Sequence, residues 1–340
     1  MNKKQIITYI LFTIFLIAIF YIGGIIGVLE FILSLSIYGL IFYFFHFVWK
    51  RIRRKKELDF WDFFEIFLYK ASIIILSIVC ILWTFSYYQN DIRPAPMPEI
   101  TITNWDKVVV FQAMSHIGTQ DFYNSVQENI TRKKEEWFVY FFEWVKPGSD
   151  ENHEKFNQAL WIEFDKNLYE NLSKLYGVVN QENEAFLWLV NDLDFNVDLN
   201  LDQIIEFYEQ STDAIESESN KNILWNSSII DVNAEIIKVL SSLNEKQLNI
   251  LRYVNKSILN LIIKSEWIQN VLTKNFSNEK LFDIILDKRN EVLADEIITS
   301  EYKKIYTTYG LLHFEWTFEL LQKEDQNWKI IWRENLFPIQ

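Results

Sequence analysis

Glycine is scarce in this chain of 340 residues: there are 8, beside 5 prolines, 4 histidines and a single cysteine. Average composition would supply about 7% glycine, or roughly 24 residues. Turns must therefore be made largely by other residue types. One cysteine, Cys80, excludes an internal disulfide, so a core must hold any folded region. The stretch after residue 98, about 240 residues, is long enough to build one. Charge is missing from a long segment as well: between Ile6 and Val48 only Glu30 is formally charged. The net charge of −13 comes mainly from beyond residue 90, which excludes anionic nucleic acid as a natural partner of that region. Also missing are a phosphate-binding glycine loop, an HExxH helix, a GxSxG nucleophile elbow and any long-period repeat.

The uncharged segment is too long for one bilayer crossing of about 20 residues. Gly23, Gly24 and Gly27 divide it into two spans, roughly 5–22 and 29–48, and a third apolar stretch covers 69–88 after the amphipathic DFWDFFEIF. Lys3 and Lys4 precede the first span, and KRIRRKK (Lys50 to Lys56) follows the second. Both clusters belong on the cytoplasmic side by the positive-inside rule. Two crossings between them and a third afterwards export everything beyond residue 90; a re-entrant first segment with a cytosolic domain is the alternative. The reading is a multi-pass membrane region (1–90), a stiff Pro-rich linker (91–98) centred on RPAPMPE (Arg93 to Glu99), and an extracytoplasmic domain (99–340).

What the chain has in place of glycine is tryptophan, 13 of them. EITIT and KVVVF read as paired strands joined by Asn104-Trp105-Asp106. Such a turn favours glycine, because φ must be positive. Trp144 follows a strand and Trp316 precedes a helix, also at positions suited to glycine. With Trp161, Trp188 and Trp332 these form a set with two readings. Either the gene uses a code in which UGA means glycine and these residues are glycines, or the protein is simply rich in tryptophan.

Helical periodicity dominates the middle of the domain. FYNSVQENI puts Phe122, Val126 and Ile130 on one face; KQLNILRYVNKSILNLIIK and EKLFDIILDKRNEVLADEI repeat apolar residues at three- and four-residue steps. Further strands are expected at 137–142, 304–309 and 328–333. DLDFNVDLNLDQ lacks the glycine and closing glutamate of a calcium loop, and reads as an alternating strand entering a helix at Asn200. Strands at both ends with helices between predict an α/β domain. It would have a central sheet, flanking helices and a large helical insertion between two strand–turn–His–helix units.

Three strand candidates end in a group that can bind metal or move a proton. VVVFQ leads to His116, WFVYFF to Glu143 and IYTTY to His313. Ligands bind at the carboxyl ends of strands in open α/β sheets, and two imidazoles with a carboxylate make a metal-ligand set with open positions. A strand-end histidine also serves as a hydrogen-bonded cap, and a strand-end glutamate as an ion-pair partner. Arg289 falls in the middle of the apolar arc of its helix. It must be paired there, either with a structural partner such as Glu296 or with a ligand carboxylate or oxyanion at the site.

These residues resemble the TraB/PrgY/GumN family, related to the Tiki proteases. Gly310-Leu311-Leu312-His313 is a complete GxxH motif; Ala113-Met114-Ser115-His116 matches except for alanine at the first place. Glu143 in YFFEWVKPG and Arg289-Asn290 in DKRNEVLADEI resemble the family's glutamate and arginine segments. The resemblance covers about 100–340. It implies a metal-dependent hydrolase, peptidase-like, with a divalent ion (Mn, Co or Zn) on His116 and His313, with Glu143 as a third ligand or as the catalytic base that activates the metal-bound water, and with Arg289 orienting substrate or stabilising the oxyanion. The partner would be a peptide or small-molecule substrate. Sequestration of a peptide without turnover is the alternative that the family also implies.

Overall fold

The computed structural model describes residues 3–53, 59–160, 167–211, 231–269, 271 and 279–340. They form two compact units: Met1–Tyr88 with Ser241–Val254, and Gln89–Leu240 with Asn255–Gln340.

The first unit is built on two long apolar helices. Helix α1 (Lys3–Ile52) is interrupted at Gly24, whose φ of 65° and ψ of −160° suit a residue without a Cβ. Beyond Gly24 the chain doubles back. The rings of Phe12 and Phe31 are 6.2 Å apart, whereas 19 residues of straight helix would separate them by roughly 28 Å. The break frees carbonyls, and two are recovered: Asn244 Nδ2 donates to Ile22 O at 2.8 Å and Lys246 Nζ to Tyr21 O at 2.9 Å. Helix α2 (Phe60–Tyr87) starts on Asp59, whose carboxylate accepts the Trp61 N–H. It absorbs both DFWDFFEIF and the apolar stretch expected to begin near residue 69, so the amphipathic piece is its first turns. Gly39 lets α2 approach α1, since a Cβ there would lie 2.9 Å from the Phe64 ring. Both helices present Leu and Ile outward, and α1 also Phe. Each is long and apolar enough to cross a bilayer, which is compatible with membrane association.

The second unit is mixed α/β. Its chain order is β1 (Met97–Thr103), β2 (Val108–Met114), β3 (Ile117–Gly118), α3 (Gln120–Glu135), β4 (Val139–Phe142), α4 (Asp150–Leu160), α5 (Leu168–Tyr176), β5 (Val179–Asn180), α6 (Asn183–Leu187), β6 (Phe195–Asn196) and α7 (Leu201–Gln210). Then come α8 (Val232–Ser242) and α9 (Glu245–Lys264), of which residues 241–254 belong to the first unit, followed by α10 (Glu279–Thr299), β7 (Lys304–Gly310), α11 (Phe314–Glu324) and β8 (Lys329–Leu336). The central sheet has the order β6-β4-β7-β2-β1-β8. Its first four strands run parallel, while β1 pairs antiparallel with β2 and β8. Phe122, Val126 and Ile130 of α3 and Leu293 and Ile297 of α10 bury against Phe111, Phe141 and Tyr306 of the sheet. The stretch between α3 and β7 is largely helical but also supplies β4 and β6 to this sheet.

The expected Pro-rich spacer is shorter than 91–98. Ala95 and Met97 are fully buried, the Ala95 N–H donates to Asn260 Oδ1 at 2.7 Å, and β1 already begins at Met97. Proline fits there because a strand start has a ladder position that needs no N–H.

Tryptophan occupies left-handed backbone at two places. Trp105 has φ 81° and Trp137 φ 67°; no other non-glycine among the described residues has positive φ. Trp105 makes the tight β1–β2 turn, as expected. Trp137, expected to open β4, instead closes α3: its N–H donates to Lys134 O and the Phe138 N–H to Lys133 O, each at 3.0 Å. That is the Schellman pattern, whose left-handed position favours glycine. Gly177, φ 66°, closes α5 with the same two bonds, to Lys174 O and Ser173 O. The remaining described tryptophans at positions expected to suit glycine lack this backbone geometry. Trp188 has φ −64°, Trp316 lies within α11 rather than before it, Trp332 lies in β8, and Trp161 is outside the described residues.

Candidate functional site

The four parallel strands end together, and their ends carry the chemistry. In the β2–β7 register Met114 faces Gly310, in the β4–β7 register Phe142 faces Thr308, and in the β4–β6 register Phe142 faces Asn196. Glu143, His116 and His313 therefore leave the same edge of the sheet, as does Asp198, two residues beyond β6. The Glu143 N–H still donates to Thr308 O at 3.2 Å.

Arg289 enters this edge from α10 and is buried. Its Nε donates to Asp198 Oδ1 at 2.7 Å and its Nη2 to Asp198 Oδ2 at 3.0 Å, a two-point clamp. Nη2 also donates to Glu143 Oε1. The partner is thus Asp198 with Glu143, not Glu296. The guanidinium carbon lies 5.5 Å from the centre of the Tyr309 ring, and Tyr309 Oη donates to Val197 O at 2.9 Å and approaches Asp198 Oδ1 at 3.2 Å. Glu143 Oε2 accepts the Gly310 N–H at 2.5 Å. Burial alone would raise the Glu143 carboxyl, but Arg289, the two imidazoles and the Gly310 N–H hold it below the ordinary value. Asp198, with a fully buried side chain, is raised by burial despite Arg289. Burial opposes the charge on Arg289, yet the two carboxylates secure it.

His313 is buried, and its Nδ1 lies 2.7 Å from Asn290 Oδ1. A carbonyl acceptor requires the proton on Nδ1, which leaves a lone pair on Nε2. Burial lowers its pKa to about 4, with Glu143 opposing and Arg289 adding, so the ring is neutral at pH 7. Gly310 has space to lose here, since a Cβ on it would lie 3.3 Å from His313 Cδ2 and 3.6 Å from Glu143 Oε2. Ala113, at the equivalent place on β2, is buried without positive φ, so the missing glycine costs nothing in backbone strain. His116 is exposed to solvent yet has enough protein around it for burial to lower its pKa, Glu143 opposing. Its ring centre is 4.8 Å from that of Tyr169, a residue sequence reasoning missed. Burial, with the Glu143 charge, pushes the Tyr169 phenol up to about 12, so it stays protonated.

The predicted residues His116, Glu143, His313 and Arg289 are therefore brought within electrostatic reach of one another. The donors suit a divalent ion in kind, and His313 suits it in orientation, since metal-bound imidazoles commonly bond their other nitrogen to a carbonyl or carboxylate. Asn290 Nδ2 is buried without a partner among the described residues, consistent with a role for its carbonyl end. Closure is another matter. Among the described residues no three His, Cys, Asp or Glu side chains converge on one point, and both Glu143 oxygens are engaged.

Other sequence features resolve as structural. Asp194 holds Lys134 and the Tyr140 N–H, Asp198 holds Arg289, and Asp202 accepts from Ser149 and Asn152. No calcium loop is formed by that segment; instead Asn200 caps α7 in a capping box with Gln203. His153 is exposed on α4. Trp144 and Trp316 are 37% and 51% exposed, so neither fills the core beside the site. A groove of about 500 Å³ along α3 includes none of the site residues. No protein family, characterised protein or solved structure was found to match this chain.

Proposed function

We propose that this chain is a membrane-anchored hydrolase of the TraB/PrgY/GumN type, with His116, His313 and Glu143 holding a divalent ion and a peptide or amide as substrate. The observation that carries the reading is the meeting of two GxxH-type histidines, a glutamate and an arginine from four separate segments at one sheet edge. A bound ion would polarise the scissile carbonyl and bring the pKa of a bound water toward neutrality. His313 keeps Nε2 directed by its Asn290 bond. Arg289 has one nitrogen, Nη1, without a hydrogen bond to a described residue, and would offer it to the developing oxyanion. Tyr169, protonated at neutral pH, would stand beside His116. The helical stretch between the two histidine motifs would shape the substrate side.

Three spans with the domain outside the cytoplasm complete the proposal. The basic clusters before and after the first two spans support it. So do the Asn244 and Lys246 caps at the Gly24 break, since that break and the 241–254 segment must then share a side, as export requires.

Calorimetric titration of the purified chain with Mn²⁺, Co²⁺ and Zn²⁺ tests the reading. Stoichiometric binding lost in both His116→Ala and His313→Ala supports it; no binding by the folded chain rejects it. The engagement of both Glu143 oxygens favours a second reading, capture of a peptide without turnover. Saturable ligand binding that survives chelation would support that one.

A further inference from the structure

Glu143 is committed in this structure: Oε1 to Arg289 and Oε2 to the Gly310 N–H. For a carboxylate so held to meet an incoming cation, it must let go of the guanidinium. A buried guanidinium that loses its only partner is left uncompensated, which is strongly unfavourable. Arg289 has a second partner, and it is the better placed one. Asp198 takes Nε and Nη2 at 2.7 and 3.0 Å, its side chain is fully buried, and Leu199 N–H and Tyr309 Oη fix the same oxygen, Oδ1. Glu143 meets the guanidinium through a single nitrogen and is the more exposed of the two carboxylates.

We infer that Asp198 is a positioning residue that holds Arg289 permanently, so that Glu143 can exchange between Arg289 and a divalent cation. The inference rests on the proposed metal site. With Asp198 in place, release of Glu143 leaves a balanced Arg289–Asp198 pair and a free carboxylate oxygen beside His313 and His116. Without that charge, Glu143 is the only anion among the described residues left paired with Arg289, and it stays where it is. No covalent step is involved; one ion pair is exchanged for another.

The test is a double-mutant cycle read as Mn²⁺ and Zn²⁺ affinity of the full chain by calorimetry. Asp198→Asn is expected to weaken binding by about 10–100-fold, as loss of an outer-shell partner typically does. Removing the guanidinium as well, in Asp198→Asn/Arg289→Gln, frees Glu143 and should return the affinity to within a few-fold of wild type. A merely structural aspartate predicts no such recovery. If wild type binds and Asp198→Asn binds equally well, or the double variant is weaker still, the inference is overturned while the metal site stands. If wild type binds neither ion, the metal site itself fails. Should Asp198→Asn not fold, the double variant alone decides, because it must bind the ion nearly as tightly as wild type.

Discussion

Replacing Trp137 by glycine should stabilise the protein. Its φ of 67° places a side chain in the left-handed region, which costs an L-residue about 1–2 kcal/mol. Glycine removes that strain but adds freedom to the unfolded chain worth about 0.4–1 kcal/mol. Little packing is lost, because Trp137 is 86% exposed. The net gain is about 1 kcal/mol, which in a unit of this size raises Tm by about 2–4 °C. Thermal melting of the solubilised chain reads it directly. Trp137→Ala is the control: it removes the same exposed ring but keeps a Cβ at positive φ, so it should gain nothing. If Trp137→Gly melts no higher than Trp137→Ala, strain at this position is not what the backbone geometry implies. Trp105→Gly should gain less, because Lys329 Nζ sits 3.6 Å from the centre of the Trp105 ring, a contact worth about 0.5–1 kcal/mol at exposed sites. If the gene reads UGA as glycine, codons 105 and 137 should both be UGA; UGG at either would end that explanation for it.

Three further outcomes are expected. Arg289→Met leaves the Asp198 and Glu143 carboxylates without their shared cation and should cost about 3–5 kcal/mol in denaturant unfolding; a loss below about 1 kcal/mol would mean that the carboxylates take up protons at little cost. His313, neutral in the fold with a pKa near 4 against 6.5 for the free ring, binds fewer protons folded than unfolded. Its contribution is therefore complete above pH 6.5 and is lost as pH falls toward 4, a drop of about 3 kcal/mol at 1.36 kcal/mol per unit; in chelator, His313→Gln should flatten that part of the stability profile. Asn200→Ala breaks the capping box on α7 and should destabilise by about 1 kcal/mol, while an unchanged unfolding midpoint would show that the cap is dispensable.

The site was partly legible because its parts sit in readable local contexts. An apolar run that stops at a histidine marks a strand end, and Arg289 inside an apolar arc announces a buried charge needing a partner. Asp198 was not legible. It follows only two residues of strand, in a segment crowded with aspartates, and its spacing matched an alternating pattern as well as a site. Asn290 reads in the sequence only as the neighbour of Arg289. Tyr169 precedes no motif, and it comes to His116 only because α5 leads into β5, which pairs with β3. The strain at Trp137 was not legible either, because a residue's φ depends on where its helix ends, and helix ends are the least sharply written feature of a sequence.

Local sequence determined the two apolar helices and the break at Gly24, since backbone hydrogen bonding in an apolar run leaves few alternatives. It also determined the strands before His116 and His313, whose residues suit no other burial. The tertiary structure decided which strands became neighbours, and hence that the segments carrying His116, Glu143, Asp198 and His313 share one edge. It also decided that Arg289 belongs to Asp198 and Glu143 rather than to a residue on its own helix. Pairing register and charge pairing are long-range, and no local pattern encodes which distant backbone or carboxylate a group will meet.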